Sequence, residues 1–141
     1  MKQILASFCL LLLLSCSGDD STNNCNYLLN VGVNTTINLN LPQFSQLMFT
    51  SNSVYIPNQG NAGIIVINAG TGLYAWDAAD PNHQLTNCSL LTIEGANGKC
   101  GCSDENEYSL FTGLSVNNPL PCALKAYRVT PLSNNQYSIT N

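Results

Sequence analysis

Four residues in the second half of the chain carry donor atoms suited to a metal: His83, Cys88, Cys100 and Cys102. One imidazole and three thiols form a soft-to-borderline set of the kind that zinc or mononuclear iron accepts. The Cys100-x-Cys102 spacing is tighter than the Cys-x2-4-Cys typical of structural zinc sites. His83 is the only histidine, with Asp77 and Asp80 close by in sequence. The other reading of His83 is a solvated loop residue. A Cys100/His83 nucleophile pair is conceivable, but no neighbouring residue marks Cys100 as activated. There is no Gly-x-Ser-x-Gly elbow. Gly70-Thr71-Gly72 is too short for a phosphate loop, and no helical pattern follows it. Enzymatic activity is therefore not expected.

What the cysteines can do depends on their compartment. Met1-Lys2 is a short positive start, and an apolar run from Ile4 to Leu14 follows, broken only by Ser7. Leu13-Leu14-Ser15-Cys16 closes the run with a small residue before a cysteine. This pattern resembles a bacterial lipoprotein signal, which implies cleavage of residues 1–15 and lipid on the Cys16 thiol. The run is too short to span about 30 Å of hydrocarbon comfortably. The expected membrane partner is thus reached through acyl chains at Cys16, not through a spanning helix. Ser17-Gly18-Asp19-Asp20 resembles the export signals of surface lipoproteins in flavobacteria and their relatives. The implied location is the cell envelope, as an outer-membrane lipoprotein, periplasmic or surface-exposed. Residues 16–29 read as the lipidated cysteine and a flexible linker, and residues 30–141 as one domain.

Of the seven cysteines, Cys9 leaves with the signal and Cys16 carries lipid, so Cys25, Cys88, Cys100, Cys102 and Cys122 remain. Outside the cytoplasm cysteines tend to pair. Five is odd, so at least one stays free, binds something or pairs between molecules. Charge excludes one class of partner. Without Lys2 the chain has three basic residues against eight acidic ones. It holds no basic patch, and nucleic acid is not an expected partner. Which protein it meets is not legible.

The elements that must position these residues read as β-strands. Short apolar or alternating stretches occur at 46–50, 53–56, 63–68, 73–77, 89–94, 108–111, 125–130 and 136–140. Gly, Asn or Pro separates most of them. Gly95-Ala96-Asn97-Gly98 reads as a hairpin turn. No segment keeps helical spacing for ten residues. An all-β fold, a small antiparallel sandwich or barrel-like domain, is expected.

The order of four segments resembles the Rieske iron–sulfur domain family. They are residues 74–83 (YAWDAADPNH) with Cys88, residues 99–103 (KCGCS), residues 107–113 (EYSLFTG) and residues 121–129 (PCALKAYRV). The resemblance covers roughly residues 45 to 141. It implies a [2Fe–2S] cluster held by two cysteines and two histidines on paired loops. Carried over by position, the first loop's cysteine falls on Asp80 and its histidine on Asn82. The second loop's cysteine falls on Cys100 and its histidine on Ser103. One ligand of four is retained, with His83 one residue from the expected place. A carboxylate at Asp80 is a hard replacement for a thiolate.

The same resemblance implies a Cys88–Cys102 disulfide between the loops. That bridge would close a loop of about 15 residues and contribute roughly 3 kcal/mol. Cys25–Cys122 is a second candidate bridge, which leaves Cys100 as the odd thiol. The signal has no arginine pair, as export of a preassembled cluster usually requires. The expected role is a membrane-anchored structural or interaction module without a working cluster. The alternative is an electron-transfer protein that binds a [2Fe–2S] cluster, zinc or mononuclear iron through Cys100 and His83.

Overall fold

The computed structural model describes residues 25–141. The signal at 1–15, the lipidation site Cys16 and the tether as far as residue 24 lie outside the described residues. The described residues form an antiparallel all-β fold. Its strands are β1 (Asn34–Asn38), β2 (Ser53–Ile56), β3 (Ile64–Asn68), β4 (Leu73–Asp77), β5 (Leu91–Glu94), β6 (Asn97–Cys100), β7 (Glu107–Ser109), β8 (Ala126–Pro131) and β9 (Gln136–Thr140). Six of them make one sheet in the order β1-β9-β8-β4-β3-β2, and β5-β6-β7 make a second.

The β-branched run in β3 explains how the two sheets share a centre. Successive side chains of a strand point to opposite faces. Ile64 and Val66 therefore enter one apolar cluster with Ile37, Leu47, Val54, Ala75, Tyr127 and Ile139. Ile65 and Ile67 enter the other, with Leu91, Tyr108, Leu110 and Leu124 of the small sheet and its flanking loops. All four of these apolar β3 side chains, Ile64 to Ile67, are fully buried. A strand covered on both faces needs an unbroken apolar sequence, and this one has it.

Two expectations are corrected. Residues 46–50 are not a strand; a 3-10 turn spans Ser45–Met48. Its bonds run from Leu47 N–H to Phe44 O (3.0 Å) and from Phe49 N–H to Gln46 O (3.1 Å). The turn buries Leu47 alone and leaves Met48 and Phe49 exposed. Strand alternation would have paired Leu47 with Phe49 on one face. The expected four-residue turn at 95–98 is shorter, because Asn97 and Gly98 already pair with Glu94 and Ile93. β1 was not expected at all. It holds one buried apolar residue, Ile37, and owes its place to five register pairs with β9.

Trp76 fixes the small sheet against the large one. Its indole Nε1 donates to Leu110 O at 2.7 Å. Gly113 lies flat against the same ring with φ +74°, where a Cβ would stand 2.7 Å from Trp76 Cζ3. Gly113→Ala would combine a left-handed backbone penalty with this clash. The expected loss is about 2 kcal/mol or more, read as a lower urea midpoint.

Candidate functional site

β4 ends at Asp77, and the chain then crosses to the small sheet. Asp80 N–H donates to Ser89 O at 2.9 Å, which closes the neck of a loop over residues 81–88. A second loop over residues 101–106 joins β6 to β7, its neck closed by Cys100 N–H to Asn106 O at 2.8 Å. Cys88 and Cys102 are disulfide-bonded between the loops, with Cα atoms 4.8 Å apart. Gly101 N–H also donates to Cys88 O at 2.9 Å. Gly101 permits this approach, since a Cβ there would meet Cys88 O at 3.1 Å.

A third segment completes the site. Cys122 is disulfide-bonded to Cys25, 97 residues away in sequence. The chain is held further along by Asn61, which bonds both the N–H (2.8 Å) and the carbonyl (3.0 Å) of Leu29. Lys125 Nζ donates to the same carbonyl at 2.7 Å. The domain thus grips its N-terminal segment from Cys25 onward.

Asp80 occupies the centre of the loops and is fully buried. Its Oδ1 accepts from the Tyr108 hydroxyl and from Asn82 N–H at 2.8 Å. Its Oδ2 accepts from Asn106 Nδ2 at 2.9 Å. Asn82 extends the network outward. Its Nδ2 donates to Tyr108 Oη (2.8 Å) and Cys122 O (2.7 Å), and its Oδ1 accepts from Cys122 N–H (3.0 Å). One carboxylate and one amide therefore tie all three loop segments together. Buried polar groups satisfied in this way rigidify a core, and each lost partner is costly.

A second buried carboxylate supports the base. Asp77 Oδ2 accepts from the Tyr127 hydroxyl (2.6 Å) and from the backbone and side-chain N–H groups of Asn61 (both 2.8 Å). Nothing local in the sequence announces this role, since Tyr127 lies 50 residues away.

Cys100 is buried beneath the disulfide and carries a free thiol. Its Sγ lies 3.6 Å from Cys88 O and 3.5 Å from Cys102 N. Burial pushes this thiol up to about 12, against a backbone hydrogen bond that acts the other way. Burial, and then the hydrogen bond to a carboxylate, also raises the hydroxyls of Tyr108 and Tyr127. A pKa raised by folding means that stability is complete below the unfolded-state value and falls as pH climbs toward the folded one. The loss should therefore begin near pH 9.0, the ordinary thiol value, and continue toward about 12. Each such group contributes a slope of up to about 1.4 kcal/mol per pH unit. Urea midpoints measured from pH 7 upward should show the fall. In Cys100→Ala its onset should move toward pH 10.0, the ordinary tyrosine value.

His83 lies at the rim, half-buried. Its Nδ1 is 3.8 Å from Cys102 Sγ, and its Nε2 is 3.4 Å from Asp104 Oδ2. Ser103 is exposed. The residues singled out from the sequence are thus brought together unequally. Asp80, Asn82 and Cys100 converge inside the loops, His83 and the disulfide stand at the edge, and Ser103 faces solvent. Asp104 and Asn106 complete the site and were not singled out, because only the fold brings them to His83 and Asp80. Tyr108, which the sequence offers as an aromatic core or surface residue, joins the site through its hydroxyl.

No protein-family model matches this chain, and no curated protein matches it either. Among solved structures, similarity is found to a putative NADH-dependent nitrite reductase small subunit from Mycobacterium tuberculosis. It has 14% identity and a TM-score of 0.46 over 79% of this chain and 97% of that one. A second is a putative nitrite reductase NADPH (small subunit) oxidoreductase protein. It has 19% identity and a TM-score of 0.41 over 74% of this chain and 97% of that one. Likenesses of this size do not assign an activity to the chain.

Proposed function

We propose that this chain is a Rieske-like lipoprotein of the cell envelope, anchored through Cys16, in which a polar network replaces the iron–sulfur cluster. It serves as a structural or interaction module and not as an enzyme or electron carrier. The observation that carries the reading is the Asp80 network. At the places where the resemblance puts a thiolate and an imidazole, Asp80 and Asn82 spend their polar atoms on Tyr108, Asn106 and Cys122. Of the four implied ligands only Cys100 has the right donor. Ser103 is exposed. This donor set does not fit a Rieske-type [2Fe–2S] centre, which requires two thiolates on one iron and two imidazoles on the other. The Cys88–Cys102 disulfide and the carboxylate network together supply the cross-links that hold the loops.

The test is to purify the full chain in detergent from the membranes of iron-replete cells fed labelled palmitate. The expected product carries label, loses it in Cys16→Ala, and contains no acid-labile sulfide. Stoichiometric iron and sulfide would overturn the cluster-free reading, and retained label in Cys16→Ala would overturn the anchor.

A further inference from the structure

We propose that the Cys88–Cys102 disulfide is the closed form of a redox-gated site for zinc or a similar borderline-soft divalent cation. Its ligands are His83 Nδ1 and the two sulfurs freed by reduction, and Asp104 orients the imidazole. The site uses neither Asp80 nor Asn82, and it meets the network proposed to replace a cluster through Asn106 Nδ2, which donates to both Asp80 Oδ2 and Asp104 Oδ2.

The geometry is close to what such a site needs. The ligand atoms of His83, Cys102 and Asp104 lie within 4.8 Å of one another. A tetrahedral zinc with Zn–S of about 2.3 Å and Zn–N of about 2.0 Å separates its sulfur and nitrogen by about 3.5 Å. His83 Nδ1 and Cys102 Sγ stand 3.8 Å apart already. Two zinc-bound thiolates sit about 3.8 Å apart by the same geometry. Side-chain rotation can open the freed sulfurs that far, since the two Cα atoms are 4.8 Å apart. Asp104 Oδ2 faces the other ring nitrogen at 3.4 Å. A carboxylate behind a metal-binding imidazole fixes its orientation and raises its basicity, and losing that partner typically costs 10–100-fold in affinity. Three protein ligands leave the fourth position of a tetrahedral zinc for water.

The gate follows from ordinary thiol chemistry. In the disulfide neither sulfur is a thiolate, and thiolates are the metal ligands. Cys88 is exposed and Cys102 buried, so an incoming dithiol reductant meets Cys88 first. Its thiolate attacks Cys88 Sγ, the protein S–S bond breaks, and Cys102 leaves as a thiolate beside His83. The reductant's second thiol then displaces Cys88. Two electrons pass to the protein, the reductant becomes a disulfide, and its two protons end on Cys88 and Cys102. Binding of the cation displaces those protons to solvent.

The experiment titrates the full chain in detergent with cobalt(II), a coloured substitute for zinc, before and after reduction by a water-soluble phosphine. The reduced chain should develop sulfur-to-cobalt charge-transfer absorption and d–d bands that zinc abolishes, and the oxidised chain should not. Asp104→Asn should weaken binding 10–100-fold, and His83→Ala should weaken it at least as much. Because His83→Ala keeps every cysteine, its loss cannot come from fewer thiols. Circular dichroism of each reduced sample confirms that the sheets persist. Cobalt uptake by the oxidised chain, unchanged affinity in reduced His83→Ala, or no uptake by a folded reduced chain would each overturn the proposal.

Discussion

Replacing Asp80 with alanine is expected to destabilise the domain by about 3–5 kcal/mol. The carboxylate is fully buried and accepts from three donors: the Tyr108 hydroxyl, Asn82 N–H and Asn106 Nδ2. Alanine leaves these donors facing a cavity, and each unsatisfied buried group costs about 1–3 kcal/mol. Asn106 retains a second partner in Asp104, which moderates the total. Asp80→Asn keeps the shape and one acceptor but turns an amide nitrogen toward a neighbouring donor, so a smaller loss of about 1–2 kcal/mol is expected. Urea unfolding of both variants measures this. In a double-mutant cycle, Tyr108→Phe should cost much less in the Asp80→Ala background than in the native chain. Additive losses would mean that Asp80 does not act through Tyr108.

Removal of the Cys25–Cys122 bridge should have a comparable effect. The bridge spans 97 residues of chain. Loop-closure entropy assigns about 4–5 kcal/mol to a cross-link of that length. Changing both residues together, Cys25→Ser with Cys122→Ser, avoids leaving a reactive partner to exchange with Cys100. The consequence reaches the loops, because the Cys122 backbone bonds Asn82 through both its N–H and its carbonyl. The Cys122 and Asn82 amides should exchange with solvent faster in the double variant, while those of β3 and β4 should follow the global loss of stability. Unchanged exchange at Cys122 would separate the bridge from the site.

The parts of this molecule legible in the sequence are those whose cause is local. β3 could be read because a strand buried on both faces writes itself as Ile64-Ile65-Val66-Ile67. β4 and β9 could be read because they alternate. β1 could not, since Asn34-Thr35-Thr36-Ile37-Asn38 has little strand preference and its pairing partner lies about 100 residues away. Residues 46–50 carry strand-like composition, but only Leu47 has a core position to fill. Tertiary context outweighed propensity in both places.

The site divides in the same way. Asp80, Asn82, Cys100 and His83 could be singled out by residue type and by family resemblance. What they do depends on bonds that bridge 26 to 40 residues of chain, from Asn106 and Tyr108 to Asp80 and from Asn82 to Cys122. No spacing rule links such residues in advance. Asp77 shows the limit most clearly, because it looked like a neighbour of His83 and instead anchors Tyr127 and Asn61 beneath the sheet.

Electron paramagnetic resonance of intact cells tests the central claim without loss of cofactor during purification. The full chain would be expressed in iron-replete, oxygen-free cells, reduced with dithionite and compared with cells lacking it. The polar network predicts spectra with no added [2Fe–2S] signal, whatever the expression level. A reduced-cluster signal that grows with expression and disappears in Cys100→Ser would contradict the account and return the chain to electron transfer.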